Sequence, residues 1–447
     1  MYAQENITAI ATPPGTGGVG IIRVSGPTAY TEALKLVAGS SKTSRPGQMR
    51  YAKFVGADGK LVDSGYYVYF RGPASFTGED IVEFHCHGGM TILTTLLREL
   101  LALDIRPARP GEFSQRAFLN GKIDLVQAEA IMDMIHADSQ KALRIALSQH
   151  QGKLSTKIDT LRSQVTEVLA RLEVSMDYPD IDMEAEDWRQ TKIVLESVGQ
   201  QLESLAGSYT EGRLYREGVT TAILGKPNVG KSSLLNLLAG EERAIVTDIP
   251  GTTRDVLEIP VNVHGIPLRL LDTAGIRETR DVVEQIGVTR AREAAQQADL
   301  VLLMFDLSRP ADSDDRSLLD LAGENSIIIL NKSDLARSFE LPDLTNPAVE
   351  ISVEKGEGIE TLKRQIYELF VRTGTTDQNL LTNERHFQCI RQAQSSLNRC
   401  LNGWEINSMD ILALDLRECW EALGEVIGRV WTGDLLDCIF GQFCLGK

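Results

Sequence analysis

The stretch Gly225 to Ser232, GKPNVGKS, constrains this chain more than any other. It follows the apolar run Val219-Thr220-Thr221-Ala222-Ile223-Leu224 and precedes Ser233-Leu234-Leu235-Asn236-Leu237-Leu238, so a strand leads into a glycine-bounded loop and then a helix. That is the context in which G-x-x-x-x-G-K-[ST] wraps a phosphate chain with backbone N–H groups at the positive end of a helix dipole. Here Lys231 reaches the β- and γ-phosphates and the Ser232 hydroxyl holds Mg²⁺. Asn228, Val229, Gly230 and Ser233 complete the phosphate-side candidates.

Four further signals follow in the order that a GTPase requires. Thr247-Asp248-Ile249-Pro250-Gly251-Thr252-Thr253-Arg254 is a polar loop after the P-loop helix, with a hydroxyl at Thr253 to complete a Mg²⁺ shell. Asp272-Thr273-Ala274-Gly275 ends a strand, placing Asp272 behind the metal and the Gly275 amide toward the γ-phosphate. Asn331-Lys332-Ser333-Asp334 ends another strand, where the Asp334 carboxylate matches guanine N1–H and N2–H and rejects adenine. Ser352-Val353-Glu354 is the weakest signal; its place after a strand predicts that the triplet contacts the base through its backbone.

Ile276 follows Gly275, where Ras-type proteins carry the glutamine that orients the attacking water. Hydrolysis must therefore be arranged otherwise. An amide oxygen at Asn228 is placed to ligate a monovalent cation beside the phosphates, and potassium there supplies the charge of an arginine finger. Glu284 lies beyond switch II and reads either as a solvated helix residue or as a carboxylate that positions a water.

A length of 447 residues predicts two or three domains. No apolar run reaches membrane-spanning length and Met1 to Ile10 lacks the pattern of a signal peptide, so a cytoplasmic protein without membrane contact is expected. Six cysteines without a CxxC pair argue against a disulfide framework or zinc ribbon. The net charge of −16 weighs against tight nonspecific nucleic-acid binding, while leaving room for a local basic patch or a partner that supplies one.

Residues 1–118 read as mixed α/β, with strands around Ile7 to Ala11, Gly20 to Val24 and Tyr66 to Phe70. Gly15 to Gly20 matches G-x-G-x-x-G by letter, but Pro13-Pro14 precedes it and a β-type run follows, which is the wrong context for a dinucleotide. If Ile81 to His87 is a strand, its period places Glu83, His85 and His87 on one face and Phe84 and Cys86 on the other. That polar face could bind a metal; with no further ligand pair at zinc spacing nearby, residues lining a pocket are the better reading.

From Asp124 the pattern is helical. Leu154, Ile158, Leu161, Val165, Val168 and Leu172 form the seam of a long bundled helix that stops near Pro179, and Leu195, Val198, Leu202 and Leu205 mark a second. Apolar strand runs alternating with helices begin at Gly218, with a hairpin turn expected at His264-Gly265-Ile266-Pro267. After Gly374-Thr375-Thr376-Asp377 the chain is helical again. The expected architecture is a multidomain α/β plus all-α protein. An N-terminal α+β domain spans 1–118, helical parts span 119–215 and 376–447, and a Ras-like P-loop domain with a mostly parallel sheet spans 216–375.

Gly78-Glu79-Asp80, His87-Gly88-Gly89, the run Arg109 to Lys122, Asp124-Leu125, Gln127 to Ala130 and the terminal Phe443-Cys444-Leu445-Gly446-Lys447 resemble the MnmE (TrmE) tRNA-modification GTPases. The resemblance covers the whole chain. It implies an N-terminal folate-binding domain that dimerises, G domains that pair across the homodimer with potassium, and hydrolysis without an external arginine. By that resemblance Asn228, Thr247, Ile249 and Thr252 serve K⁺, Ser232 and Thr253 serve Mg²⁺, and Glu284 is the catalytic glutamate alongside Lys231. Arg23, Glu83, Lys122 and Lys447 would hold a reduced folate, either 5-formyl- or 5,10-methylene-tetrahydrofolate. The family acts on tRNA with the FAD- and NADH-using partner MnmG, forming a heterotetramer that builds aminomethyl-type groups on C5 of the wobble uridine. Cys444 reads either as a thiolate that adds to the uracil ring or as a small packed side chain. A different class, an Era-like regulatory switch, would have no need of Arg23, Glu83 and Lys122.

Overall fold

The structure is a computed structural model and describes residues 5–39, 45–177, 185–240, 260–271, 292–340, 346–371 and 380–446. The N-terminal sheet is built from β1 (Asn6–Ile10), β2 (Gly17–Ser25), β3 (Arg50–Val55), β4 (Leu61–Phe70), β5 (Ile81–Gly88) and β6 (Ile105–Pro107), in the order β3-β4-β5-β2-β1-β6. Only the β1–β6 pair is parallel. Short helix α1 (Ala29–Ala33) and α2 (Met90–Leu101) cover one face, over a core that includes Ile22, Val24, Phe54, Phe84, Leu93 and Leu96. The strand period leaves Arg23, Glu83 and His85 on the opposite face. Strand β2 begins inside the glycine-rich stretch, which is why that stretch makes no dinucleotide turn.

Six helices follow: α3 (Glu112–Leu119), α4 (Leu125–Ile135), α5 (Gln140–His150), α6 (Lys153–Asp177), α7 (Ala185–Gly207) and α8 (Tyr209–Glu217). Asp124 starts α4 with a capping box, its carboxylate accepting from the Gln127 N–H while the Gln127 side chain accepts from the Asp124 N–H. All six seam residues of α6 are buried, as are Leu195, Val198, Leu202 and Leu205 of α7. Pro179 lies outside the described residues; α6 runs to Asp177.

The second sheet belongs to the P-loop domain and runs β12-β11-β10-β7-β9-β8. Its elements are β7 (Val219–Leu224), α9 (Lys231–Gly240), β8 (Pro260–Val263), β9 (Ile266–Leu270), β10 (Leu300–Asp306), α10 (Ser313–Leu319), β11 (Ser326–Asn331), β12 (Ala348–Glu350) and α11 (Ile359–Phe370). Every pair is parallel except β8–β9. The continuous apolar runs of β10 and β11 are buried throughout, as a sheet covered on both faces requires. The hairpin turn is tighter than the expected four residues. His264 and Gly265 alone carry it, with φ of 49° and 92°, the left-handed pair that a two-residue turn uses. Ile266 and Pro267 already pair with Val263 and Asn262.

The chain closes with α12 (Glu384–Gly403), α13 (Met409–Val426) and α14 (Gly433–Phe440). Helices α12 and α13 share one core with α6 and α7, so the two helical segments form one body around the inserted domain. A buried charge cluster ties them: Glu129 of α4 accepts from Arg385 Nη2 and Nε at 2.8 and 2.9 Å, and lies 2.6 Å from His386 Nε2. Burial alone would raise the Glu129 carboxyl, but His386 and Arg385 hold it well below the usual range.

Candidate functional site

The P-loop has the close packing that its glycines permit. A Cβ built at Gly225 would lie 2.5 Å from the Met304 carbonyl, and one at Gly230 (φ 106°) would lie 2.5 Å from Asn331 Nδ2. Asn228 takes a left-handed φ of 64°, which asparagine tolerates better than most residues. Val229 is buried, whereas Asn228, Ser232 and Ser233 are exposed. Lys231 donates from Nζ to the carbonyls of Gly225 (2.6 Å) and Lys226 (2.7 Å). Burial lowers the pKa of this ammonium, and no carboxylate among the described residues pairs with it. An anionic phosphate chain is therefore the complementary partner.

The base side is joined to the phosphate side through one carboxamide. Asn331 donates from Nδ2 to the Val229 carbonyl (2.7 Å) and accepts at Oδ1 from the Val353 N–H (3.1 Å). Ser352, fully buried, donates from Oγ to Asp334 Oδ1 at 2.7 Å, and this bond holds the Asp334 carboxyl below its ordinary range. The Ser352 N–H donates to the Glu357 carbonyl at 3.0 Å. Lys332, with φ of 66°, places Nζ 2.6 Å from Asp306 Oδ2.

Lys226 is a P-loop residue that the motif leaves unassigned. Its ammonium meets Asp312, Asp315 (3.2 Å) and Asp314 (3.7 Å) at the start of α10, which ties the P-loop to the loop after β10. The three carboxylates Asp312, Asp314 and Asp315 close together in the chain are the sequence signal for this link. Thr247, Asp248, Ile249, Pro250, Gly251, Thr252, Thr253, Asp272, Thr273, Ala274, Gly275 and Glu284 lie outside the described residues.

In the N-terminal domain Arg23 and Glu83 are cross-strand partners on β2 and β5, with Arg23 Nε 2.8 Å from Glu83 Oε1. The Arg23 guanidinium lies 5.6 Å from the centroid of Phe113 and 5.9 Å from that of Phe76. Its Nη1 donates to the Gly446 carbonyl at 3.4 Å, which brings the C-terminal segment to this pocket. Gly446 (φ 93°) admits that approach, since a Cβ there would lie 2.5 Å from the Ile10 carbonyl. Cys444 is exposed beside it, while Phe443 is buried. Lys122 donates to the Pro73 carbonyl at 2.9 Å and so meets the same 73–79 loop that supplies Phe76. Lys447 lies outside the described residues.

The remaining motif residues build this pocket's frame. Glu79 accepts from Arg116 Nη1 and Ser25 Oγ, both at 2.9 Å, and Asp80 accepts from the Gly72 N–H and Tyr69 OH, also at 2.9 Å. Glu112 sits between Arg106 (2.5 Å) and Arg116 (3.0 Å). Burial opposes its charge, yet the hydrogen bonds from Arg106, the Arg109 N–H and Arg116 bring its pKa down to about 2.

Residues 6–122 match the family described as the GTP-binding protein TrmE N-terminus, and residues 125–444 match the MnmE helical domain. A tRNA modification GTPase MnmE of Natranaerobius thermophilus is 42% identical over 457 residues, spanning 99% of this chain and 100% of that protein. One of Enterococcus faecalis is 44% identical, spanning 99% of this chain and 98% of that protein. One of Geobacter sulfurreducens is 42% identical over 100% of both chains. With both family regions matched in order and relatives of its own length, the chain belongs to the MnmE (TrmE) family.

Proposed function

We propose that this chain hydrolyses GTP as a component of the machinery that adds aminomethyl or carboxymethylaminomethyl groups to C5 of the tRNA wobble uridine. The observation that carries the reading is the Asn331 carboxamide, which fixes the phosphate loop at Val229 and the base loop at Val353 as one unit. Lys231 neutralises the phosphates and Asp334, steadied by Ser352, selects guanine.

Mg²⁺ would be held by Ser232 and Thr253, and K⁺ by Asn228, Thr247, Ile249 and Thr252. The Ser232 hydroxyl and the Asn228 amide are exposed and have no partner among the described residues, so both fit the task. These cations supply charge stabilisation to the γ-phosphate as the bond to it breaks. Asp272, Thr273, Ala274 and Gly275 would serve the metal and γ-phosphate side of the site, and Glu284 would position the attacking water through a second water. Pairing of the G domains of a homodimer encloses the site.

A reduced folate would sit between Arg23, Glu83 and Lys122, with Lys447 closing the pocket. The residues fit: Arg23 and Glu83 meet over the rings of Phe76 and Phe113, and Lys122 reaches the loop that carries Phe76. When bound, the folate would supply a one-carbon unit; the Cys444 thiolate would add to C6 of the uracil ring, pushing the C5=C6 electron pair onto C5 so that C5 attacks that unit, and would be expelled as the C5 proton leaves, while MnmG would supply redox chemistry in the heterotetramer. No helix among the described residues is long and apolar enough to cross a membrane, in keeping with work on tRNA in the cytoplasm.

Steady-state GTP turnover of the full chain, compared in potassium and in sodium, tests the hydrolytic half. Turnover many-fold faster in potassium, and lost in Glu284→Ala with GTP binding intact, supports the reading. Equal rates in both salts would remove the Asn228 assignment.

A further inference from the structure

His85 is the polar residue of the N-terminal pocket that the proposed function leaves without a task. It stands on β5 two residues from Glu83, on the same face, in a rung between Tyr66 of β4 and Ile21 of β2. Its Nε2 is buried from solvent and has no hydrogen-bond partner among the described residues, yet it faces Glu83 Oε2 at 3.4 Å. The other carboxylate oxygen, Oε1, is taken by Arg23. An imidazole nitrogen aimed at a carboxylate oxygen carries its proton there, because a carboxylate only accepts. At 3.4 Å the pair is close enough to bond but is not aligned as a formed N–H···O bond, so a small reorientation of the carboxylate or the imidazole completes it.

We infer that His85 is a positioning residue of the pterin subsite, whose Nε2–H secures the second oxygen of Glu83. Held by Arg23 on one oxygen and His85 on the other, the carboxylate keeps its plane and presents one outward lone pair per oxygen. That is the complement of a 2-amino-4-oxo ring, which offers a ring N–H and an exocyclic N–H side by side. The same solution stands in the G domain, where Ser352 steadies Asp334 for the equivalent edge of guanine. The inference rests on the folate reading of this pocket and adds the residue that sets its selectivity for the amino group.

The test is isothermal titration calorimetry of the full chain with 5-formyltetrahydrofolate and with its 2-desamino-2-methyl analogue. Wild type should prefer the amino compound. His85→Leu should weaken the amino compound about tenfold and the analogue, which keeps only the ring N–H, by clearly less, so that the preference for the amino compound narrows. His85→Gln, which keeps a donor, should restore most of the preference, and His85→Leu should add nothing in a Glu83→Ala background. Equal losses for both compounds, no loss for either, or failure of His85→Gln to rescue would overturn the inference while leaving folate binding in place. If wild type binds neither compound, the folate reading itself falls, and His85 with it.

Discussion

Ser352 Oγ donates a 2.7 Å hydrogen bond to the Asp334 carboxylate across two neighbouring loops of the P-loop domain. The bond lowers the Asp334 pKa and so favours its carboxylate form, the form that would accept two N–H groups from guanine. Ser352→Ala is expected to weaken GTP binding about tenfold without changing base choice, since the carboxylate remains. Asp334→Asn should reverse the complementarity and favour xanthine nucleotides, which present an oxygen where guanine presents its amino group. Competition binding with GTP, ATP and XTP reads both outcomes.

Gly230 leaves no room for a methyl group, because an ideal Cβ there stands 2.5 Å from Asn331 Nδ2 and the backbone has φ of 106°. Gly230→Ala should push Asn331 off the Val229 carbonyl and separate the two loops that it joins. GTP affinity should fall at least about thirtyfold in a fluorescent-nucleotide titration, while folate affinity stays at the wild-type level.

Glu112 links Arg106 and Arg116 under the pocket, with its folded pKa depressed from 4.5 to about 2. A depressed carboxyl stabilises the fold above its unfolded value, and that contribution is lost as pH falls through the folded one. The stability difference between wild type and Glu112→Gln should reach about 3 kcal/mol near neutral pH. It should shrink between pH 4.5 and about 2. Urea melts of the N-terminal domain signal across that range measure it.

The parts of the site that lie within a few residues of one another were legible in the sequence. The P-loop reads from its glycine spacing between a strand and a helix, and the two-residue period of β5 puts Glu83 and His85 on one face. What the sequence could not show are pairings set by which elements become neighbours. Glu129 meets Arg385 and His386 only because the two helical segments close around the inserted domain, more than 250 residues apart. Ser352 reaches Asp334 because β11 and β12 lie side by side, a bond that the triplet's own residues do not announce. Lys226 escaped for the same reason, since its carboxylate partners lie beyond β10.

The central claim is that GTP hydrolysis by this chain drives modification of the tRNA wobble uridine. Mass spectrometry of nucleosides from total tRNA, in cells with and without the protein, tests it most directly. The account predicts that C5-aminomethyl-type uridines disappear without the chain, return with wild type, and do not return with Glu284→Ala. An unchanged nucleoside profile on removing the chain would contradict it and favour a GTP-controlled switch with no modification chemistry.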